Sequence, residues 1–385
     1  MIESVTRAAV FPTTSKVSLP TDEGVHAGDK TEWWYLNGHL SDDQGREYGF
    51  MDALFDTPDI IDARYNHDLP LMPGAALLDA AFTQITEGRH TEFRSPRFFA
   101  PSSKVHDGFT PGILDQQFKD SRGLWKVQRV DDETIHLSGP HGDAQLDLTL
   151  KHKKAPILMG GEGEIPMGPF GSSKYYTWSR LEASGTVQID GETRKVNGTA
   201  WMDHQWGDMQ LFHGYDGWDW FGMQLDNGTD INAFRFRDAN GENVQASVGC
   251  SQAEGTQTVS DKMELTPTGW WTSPQTGVRY PTSWHVVIPD RKIDLDVTPA
   301  FDDQEMNGGP PYGHPRLAPV PTYWEGAMNV QGTVAGQKVT GKAYGEFVGY
   351  GLSQEDRQLD ASVIAEATSL AGAPAETATA SERGA

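Results

Sequence analysis

Val196-Asn-Gly-Thr-Ala-Trp-Met-Asp203 is answered near the far end of the chain by Val339-Thr-Gly-Lys-Ala-Tyr-Gly-Glu346. Valine, glycine and alanine coincide, a ring answers a ring, and an acid answers an acid. Each segment follows a Gly-Thr-Val that begins a turn and a strand, at Gly185 and at Gly332. Upstream, Glu32-Trp-Trp-Tyr-Leu-Asn-Gly-His-Leu40 is loosely matched by Asp219-Trp-Phe-Gly-Met-Gln-Leu225, again an acid followed by large rings. Each half thus opens and closes with similar strands. A closed antiparallel barrel sets its first and last strands side by side, because closure removes exposed edges. Repetition on this scale predicts two tandem antiparallel β-barrels in an all-β chain.

The residues between the echoes agree. Gln145 to Leu150 and Lys292 to Val297 alternate polar and apolar, as half-buried strands do. Asp42-Asp-Gln-Gly45, Asp190-Gly191 and Asp226-Asn-Gly228 lie between such runs and carry hairpin chemistry, since Gly, Asn and Asp tolerate positive φ. Pro70 to Leu78 is expected to carry a short helical turn, and Met306 to Pro321, rich in Gly and Pro, a loop. Beyond Gln354 the chain becomes an Ala-rich tail, disordered or partly helical. The expected organisation is an N-terminal extension over 1–27, a barrel over 28–210, a second over 211–353 and the tail over 354–385.

Composition narrows the function. The 385 residues suffice for two domains with separate cores. Asp and Glu number 54 against 31 Lys and Arg, a formal charge of −23, so nucleic-acid backbones and anionic lipid surfaces would be repelled. A single cysteine, Cys250, forms no intrachain disulfide and reads as a small buried hydrophobe. Met1 to Lys16 lacks the apolar core of a secretory signal, and no run approaches the roughly 20 apolar residues of a membrane helix. The expectation is a soluble, cytoplasmic protein. Twelve Trp, 16 Phe and 11 Tyr sit in this otherwise polar chain, so large rings build either the cores or a pocket.

Three clusters set titratable groups beside indoles. Strand alternation places Glu32 with Trp34 on one face and Trp33 with Tyr35 on the other. It pairs His204 with Trp206, Asp203 with Gln205, and Trp218 with Trp220 and Gln224. One face of each strand should be a barrel lumen. Apolar surroundings raise a carboxyl's pKa and turn it into a proton donor near neutrality, and indole faces stabilise a neighbouring cation. The plainer reading is that these are core tryptophans with hydrogen-bonded polar neighbours; three recurrences favour a ligand pocket. Asp203, His204, Asp208 and His213 suit a divalent ion by type but show no recognised ligand spacing. HExxH, GxSxG, P-loop and GxGxxG patterns are absent, so no metal, nucleotide or other cofactor is expected.

Taken together, Glu32-Trp-Trp-Tyr35 with Gly38-His-Leu40, Gly198-Thr-Ala-Trp-Met-Asp-His-Gln-Trp-Gly207, Gly217-Trp-Asp-Trp-Phe-Gly222, and Tyr323-Trp-Glu-Gly326 with Gly345-Glu-Phe-Val-Gly-Tyr350 resemble the carotenoid 1,2-hydratase, or hydroxyneurosporene synthase, family, also called AttH-like. The resemblance spans most of Gly28 to Tyr350 and implies two tandem lipocalin-like barrels. It implies cofactor-free chemistry on a long apolar polyene, polyketide or isoprenoid: water addition in the hydratases, ring closure in Diels–Alderase relatives. His204-Gln-Trp206 matches the hydratases' His-x-Trp, whereas Gln224-Leu-Asp226 stands where they carry Tyr-x-Asp. The leading expectation is a cofactor-free [4+2] cyclase, with a hydratase and a non-catalytic carrier as the alternatives. In a [4+2] cyclase Trp34, Trp206 and Trp220 shape the pocket, His204 or Gln224 polarises the substrate, and Asn37 and Gln205 are further donors. In a hydratase Glu32, Asp203 or Asp219 protonates an alkene. In a carrier the ligand is bound without chemistry. Tyr35, Trp218, Tyr323 and Trp324 complete the expected binding set.

Overall fold

A computed structural model describes residues 15–27, 29, 31–57, 75–98, 107–167, 171–207, 216–238, 240–307 and 322–351. These residues form an all-β protein of two antiparallel sheets. The first contains β1 (Thr31–Asp42), β2 (Glu47–Thr57), β3 (Ala75–Gln84), β4 (Arg89–Phe98), β5 (Asp115–Asp120), β6 (Gly123–Asp131), β7 (Thr134–His141), β8 (Ala144–His152), β9 (Ile157–Leu158), β10 (Glu164–Pro166), β11 (Ser172–Ile189) and β12 (Glu192–Gly207). The second contains β13 (Gly217–Leu225), β14 (Asp230–Arg237), β15 (Asn243–Ser251), β16 (Gln257–Ser260), β17 (Glu264–Thr272), β18 (Arg279–Ile288), β19 (Ile293–Pro299), β20 (Glu305–Met306), β21 (Tyr323–Val334) and β22 (Gln337–Phe347).

The order β4-β3-β2-β1-β12-β11-β8-β7-β6-β5 curls into a nearly closed barrel, with β2, β3 and β4 coming against β7 on the far side. The second sheet, β16-β15-β14-β13-β22-β21-β19-β18-β17, makes a half-barrel, and the whole is a tandem lipocalin-like arrangement. The opening and closing strands of each half do pair: β1 lies against β12 and β13 against β22, which puts both echoed segments at equivalent central positions. The hairpin signals lie at the β1–β2, β11–β12 and β13–β14 turns. Asp190 and Gly191 both have positive φ (52° and 79°), the pairing a tight two-residue hairpin requires. The segment Pro70 to Leu78 departs from expectation. Residues 75–78 open strand β3, where Leu77 and Leu78 are buried by cross-strand pairing to β2 and β4, and 70–74 lie outside the described residues. Met306 belongs to the short strand β20; most of the expected loop, 308–321, and the tail from 352 also lie outside them.

Three apolar cores follow from strand alternation. The first fills the barrel with Trp34, Leu36, Phe50, Trp125, Leu148, Tyr176 and Trp206, and takes in Val17 and Val25 from the N-terminal segment. The second backs the half-barrel with Phe221, Trp284, Leu295, Trp324 and Phe347, and holds Cys250, whose thiol burial pushes up to about 12. The third lies between the sheets, where Tyr35, Met51, Tyr175 and Trp201 meet Trp220, Phe234, Tyr323 and Tyr344. Asp230 fastens the sheets further. It accepts from Arg180 Nη2 at 2.5 Å and Ser179 Oγ at 3.1 Å, and pairs with Lys154 at 2.8 Å.

Candidate active site

The faces of the strands that the barrel does not use enclose a cleft between the sheets, about 710 Å³ of unfilled space including its mouth. Register builds it. Across β2, β1 and β12, Phe55 opposes Trp33, which opposes Gln205, while Ala53 opposes Tyr35, which opposes Asp203. On β11, Tyr175 stands opposite Gln205, and Thr177, which is not itself a lining residue, stands opposite Asp203. From the second sheet, Phe236 opposes Trp218, Phe234 opposes Trp220, Trp220 opposes Glu346, and Glu346 opposes Glu325. Met167 and Tyr323 complete the lining. Nine of these fifteen lining residues are aromatic and three are carboxylic acids, with no Lys, Arg or His among them. Arg94, near the wall over the Tyr323 ring, is bound through two nitrogens to Asp79.

The three acids stand in different surroundings. Asp203 is held by an oriented network. The Asn232 amide donates to Tyr175 Oη (2.7 Å) and Thr177 Oγ1 (2.8 Å). Those hydroxyls, so committed as acceptors, donate to the two oxygens of Asp203 (2.6 Å each), and Trp201 Nε1 adds a third donor at 2.8 Å. This polarity suits a carboxylate. Burial nevertheless raises Asp203 to about 7, with the three donors opposing the rise. Glu325 and Glu346 have weaker support, from the Tyr35 and Tyr323 hydroxyls and from the Trp218 indole respectively, each of which only partly opposes the rise. Burial and the mutual repulsion of two adjacent carboxyls drive Glu325 well above the usual range, and burial, with Asp79 and Asp203 nearby, takes Glu346 to about 7. The Tyr35 hydroxyl faces Glu325 and lowers it, yet neither the hydroxyl nor Glu325 Oε1 makes a hydrogen bond of good geometry, and both are buried. Asp203 is thus held by donors that suit a carboxylate, whereas Glu325 is driven further toward its protonated form, a separation of roles that acid–base chemistry requires.

The residues singled out from the sequence fall into several places. Asp203, Gln205, Tyr35, Trp218, Trp220 and Tyr323 line the cleft. Glu32, Trp34, His204 and Trp206 point the other way, into the barrel, where His204 stacks on Trp34 with centroids 4.7 Å apart and Glu32 Oε1 lies 2.7 Å from His204 Nε2. Asp203 and His204 therefore face opposite sides of β12, and of the conceivable metal set Asp208 and His213 lie outside the described residues. Asp219 is bound by Arg235, Arg237 and Tyr350. Trp324 stacks on Phe347 in the second core. Gln224 donates to the Ser179 and Ala200 carbonyls (2.8 and 3.0 Å), tying sheet to sheet. Asn37 is buried on the Tyr35 face but is not among the lining residues. Glu325 and Glu346 are the acids that the sequence did not single out. A signal for each existed: Glu346 is the echo of Asp203, and Glu325 shares a strand face with Tyr323. Among the described residues, His26, Glu32 and His204 bring three possible metal-ligand atoms within 4.8 Å of one another.

Fold and site together define a tandem lipocalin-like protein with an acid-bearing aromatic cleft between its sheets. The AttH-like family model matches residues 11–350, and the chain belongs to that family. It is similar to a solved structure assigned as AttH from Nitrosomonas europaea, with 27% identity, a TM-score of 0.73, and 89% of this chain and 99% of that one covered. Kievitone hydratase from Nectria haematococca shares the fold at 17% identity and a TM-score of 0.65, over 88% of this chain and 96% of that one. No curated protein matches the sequence.

Proposed function

We propose that the protein is an acid–base enzyme that binds a largely apolar, unsaturated small molecule in the inter-sheet cleft and adds water across a carbon–carbon double bond. The observation that carries this reading is the placing of three carboxyls of unlike environment on one aromatic cavity. The Glu325–Glu346 pair, holding a proton near neutrality, gives it to one alkene carbon. The other carbon becomes a cation, faced by the Trp218 and Trp220 indoles and by Asp203. Water attacks that carbon, and its surplus proton passes to the Asp203 carboxylate. Tyr35 and Glu325, each with an unmatched polar atom, are where an oxygen on the substrate docks. The same two groups favour a second reading, a [4+2] ring closure, because two donors converging on a carbonyl polarise a dienophile.

Product mass separates the readings when isoprenoid, polyene and polyketide substrates are offered. Hydration adds one water, cyclisation leaves mass unchanged with a new retention time, and a carrier returns its ligand intact. Glu346→Gln and Glu325→Gln are each expected to lower turnover by about 10²–10⁴-fold, the usual worth of a positioned proton donor, while ligand still binds. Rate-limiting protonation of carbon would also slow in heavy water. Full activity in both variants, with no solvent isotope effect, would remove the acid from the mechanism.

A further inference from the structure

A second constructed group lies inside the first barrel, away from the cleft. Glu32 on β1, His204 on β12 and His26 from the N-terminal segment bring their ligand atoms within 4.8 Å of one another. Glu32 Oε1 is 2.7 Å from His26 Nδ1 and 2.7 Å from His204 Nε2. The outward atoms are held as well. His26 Nε2 is 3.6 Å from Asp22 Oδ1, His204 Nδ1 is 3.2 Å from the Tyr176 hydroxyl, and Glu32 Oε2 accepts the His26 backbone N–H at 2.8 Å. The rings are clamped: His26 stacks on Trp206 at 4.2 Å and 3°, and His204 on Trp34 at 4.7 Å and 21°. Two imidazoles and a carboxylate converging on one point, each fixed from behind by a second partner, is the way proteins orient metal ligands. The barrel also buries Asp52 against His141 and Glu23 against Arg129, each as a simple pair; this group differs in bringing two imidazoles to one carboxylate oxygen.

We propose that His26, Glu32 and His204 form a binding site for a divalent metal ion, with zinc the best match to two nitrogens and one carboxylate oxygen. The ion would pin the segment carrying His26 to the β1–β12 pair. In a tetrahedral zinc site donors lie about 3.3 Å apart, so Glu32 Oε1, 2.7 Å from each nitrogen, withdraws by about 0.6 Å from each, and the two nitrogens, within 4.8 Å of one another, settle to the same spacing as the ion enters. Each ligating nitrogen gives its proton to solvent as the ion enters. The His26 side chain, 22% exposed, provides the entry side, and water takes the fourth position.

The test uses tag-free, full-length protein stripped with a chelator and titrated with Zn²⁺ or Co²⁺ alone. Expected are one ion per chain, a rise in Tm, and the visible absorption of four- or five-coordinate Co²⁺. His26→Gln should weaken binding about 100-fold or more and erase the Co²⁺ band, and Asp22→Asn should weaken it about 10-fold by freeing the His26 ring. His285→Gln is the control for surface binding, because His285 lies exposed between Asp294 and Asp296. No stoichiometric ion in the wild type, or binding that survives His26→Gln and is lost with His285→Gln, would overturn the site and leave a hydrogen-bonded cluster. Should Glu32→Gln fail to fold, His26→Gln on the partly exposed rim still decides the matter.

Discussion

Neighbouring residues on β12 have opposite duties. Trp206 is 1% exposed, packed in the barrel against His26, His204 and Tyr176. Trp206→Ala therefore opens a core cavity and is expected to cost about 3–5 kcal/mol in denaturant unfolding. Trp218, half-buried at the cleft, should behave otherwise: Trp218→Ala weakens ligand binding, followed by fluorescence quenching, with little loss of stability. Glu346 links stability to pH. In the folded protein it keeps its proton to about 7, whereas an unfolded chain releases it near 4.5. The folded state thus binds more protons between those values, and stability falls as pH rises across that window. Urea unfolding from pH 4 to 8 should show a shallower decline for Glu346→Gln than for the wild type; equal slopes would mean that Glu346 is ionised throughout. If it is the proton donor, turnover also falls as pH rises through about 7.

At the scale of elements, β11 does most to join the halves. Its cleft face carries Tyr175 and Thr177, and its register shifts between Trp178 and Leu181, where Ser179 and Arg180 turn to meet Asp230 on β14. A strand of unbroken alternation would send one of these two side chains to the wrong side; the bulge re-aims them. Asp230 is fully buried between Arg180 and Lys154. Asp230→Ala leaves two cations without their anion and is expected to cost about 3–5 kcal/mol, whereas an exposed pair such as Lys153 with Glu182 should cost under about 1 kcal/mol when broken. Chemical denaturation of the two variants checks the ranking. Gly49 marks another close approach. A Cβ there would come 2.5 Å from the Tyr344 hydroxyl of the other sheet, so Gly49→Ala must displace that ring.

Over the whole molecule the third core makes the two sheets interdependent. We propose that the halves meeting near residue 210 are structural units without being independent ones. Produced separately, the first would expose Tyr35, Met51, Tyr175 and Trp201, and the second Trp220, Phe234, Tyr323 and Tyr344. An apolar face of that kind is a docking surface. Fragments 1–207 and 217–385, made separately, should bind a hydrophobic dye and then associate when mixed, losing the dye. Two fragments that stay monomeric and dye-free would show that the inter-sheet core contributes little.

Alternation, turn residues and the echo of Val196–Asp203 in Val339–Glu346 were enough to determine two tandem antiparallel barrels whose opening and closing strands pair. These are local properties, written in a period of two and in Gly, Asn and Asp at turns. Alternation also separated Asp203 from His204 and Trp33 from Trp34. It did not say which face met a core and which a cavity, because both faces of these strands are rich in rings and acids. That decision belongs to the tertiary structure. Curling of the first sheet sends Glu32, Trp34, His204 and Trp206 inward, and docking of the second sheet turns the opposite face into a cleft. Glu325 and Glu346 oppose each other on the β21–β22 hairpin. They gain their chemistry only in that cleft, since a carboxyl's pKa is set by the water it loses and the charges it meets, and their burial and the nearby Asp79 and Asp203 come from the first sheet, distant in sequence.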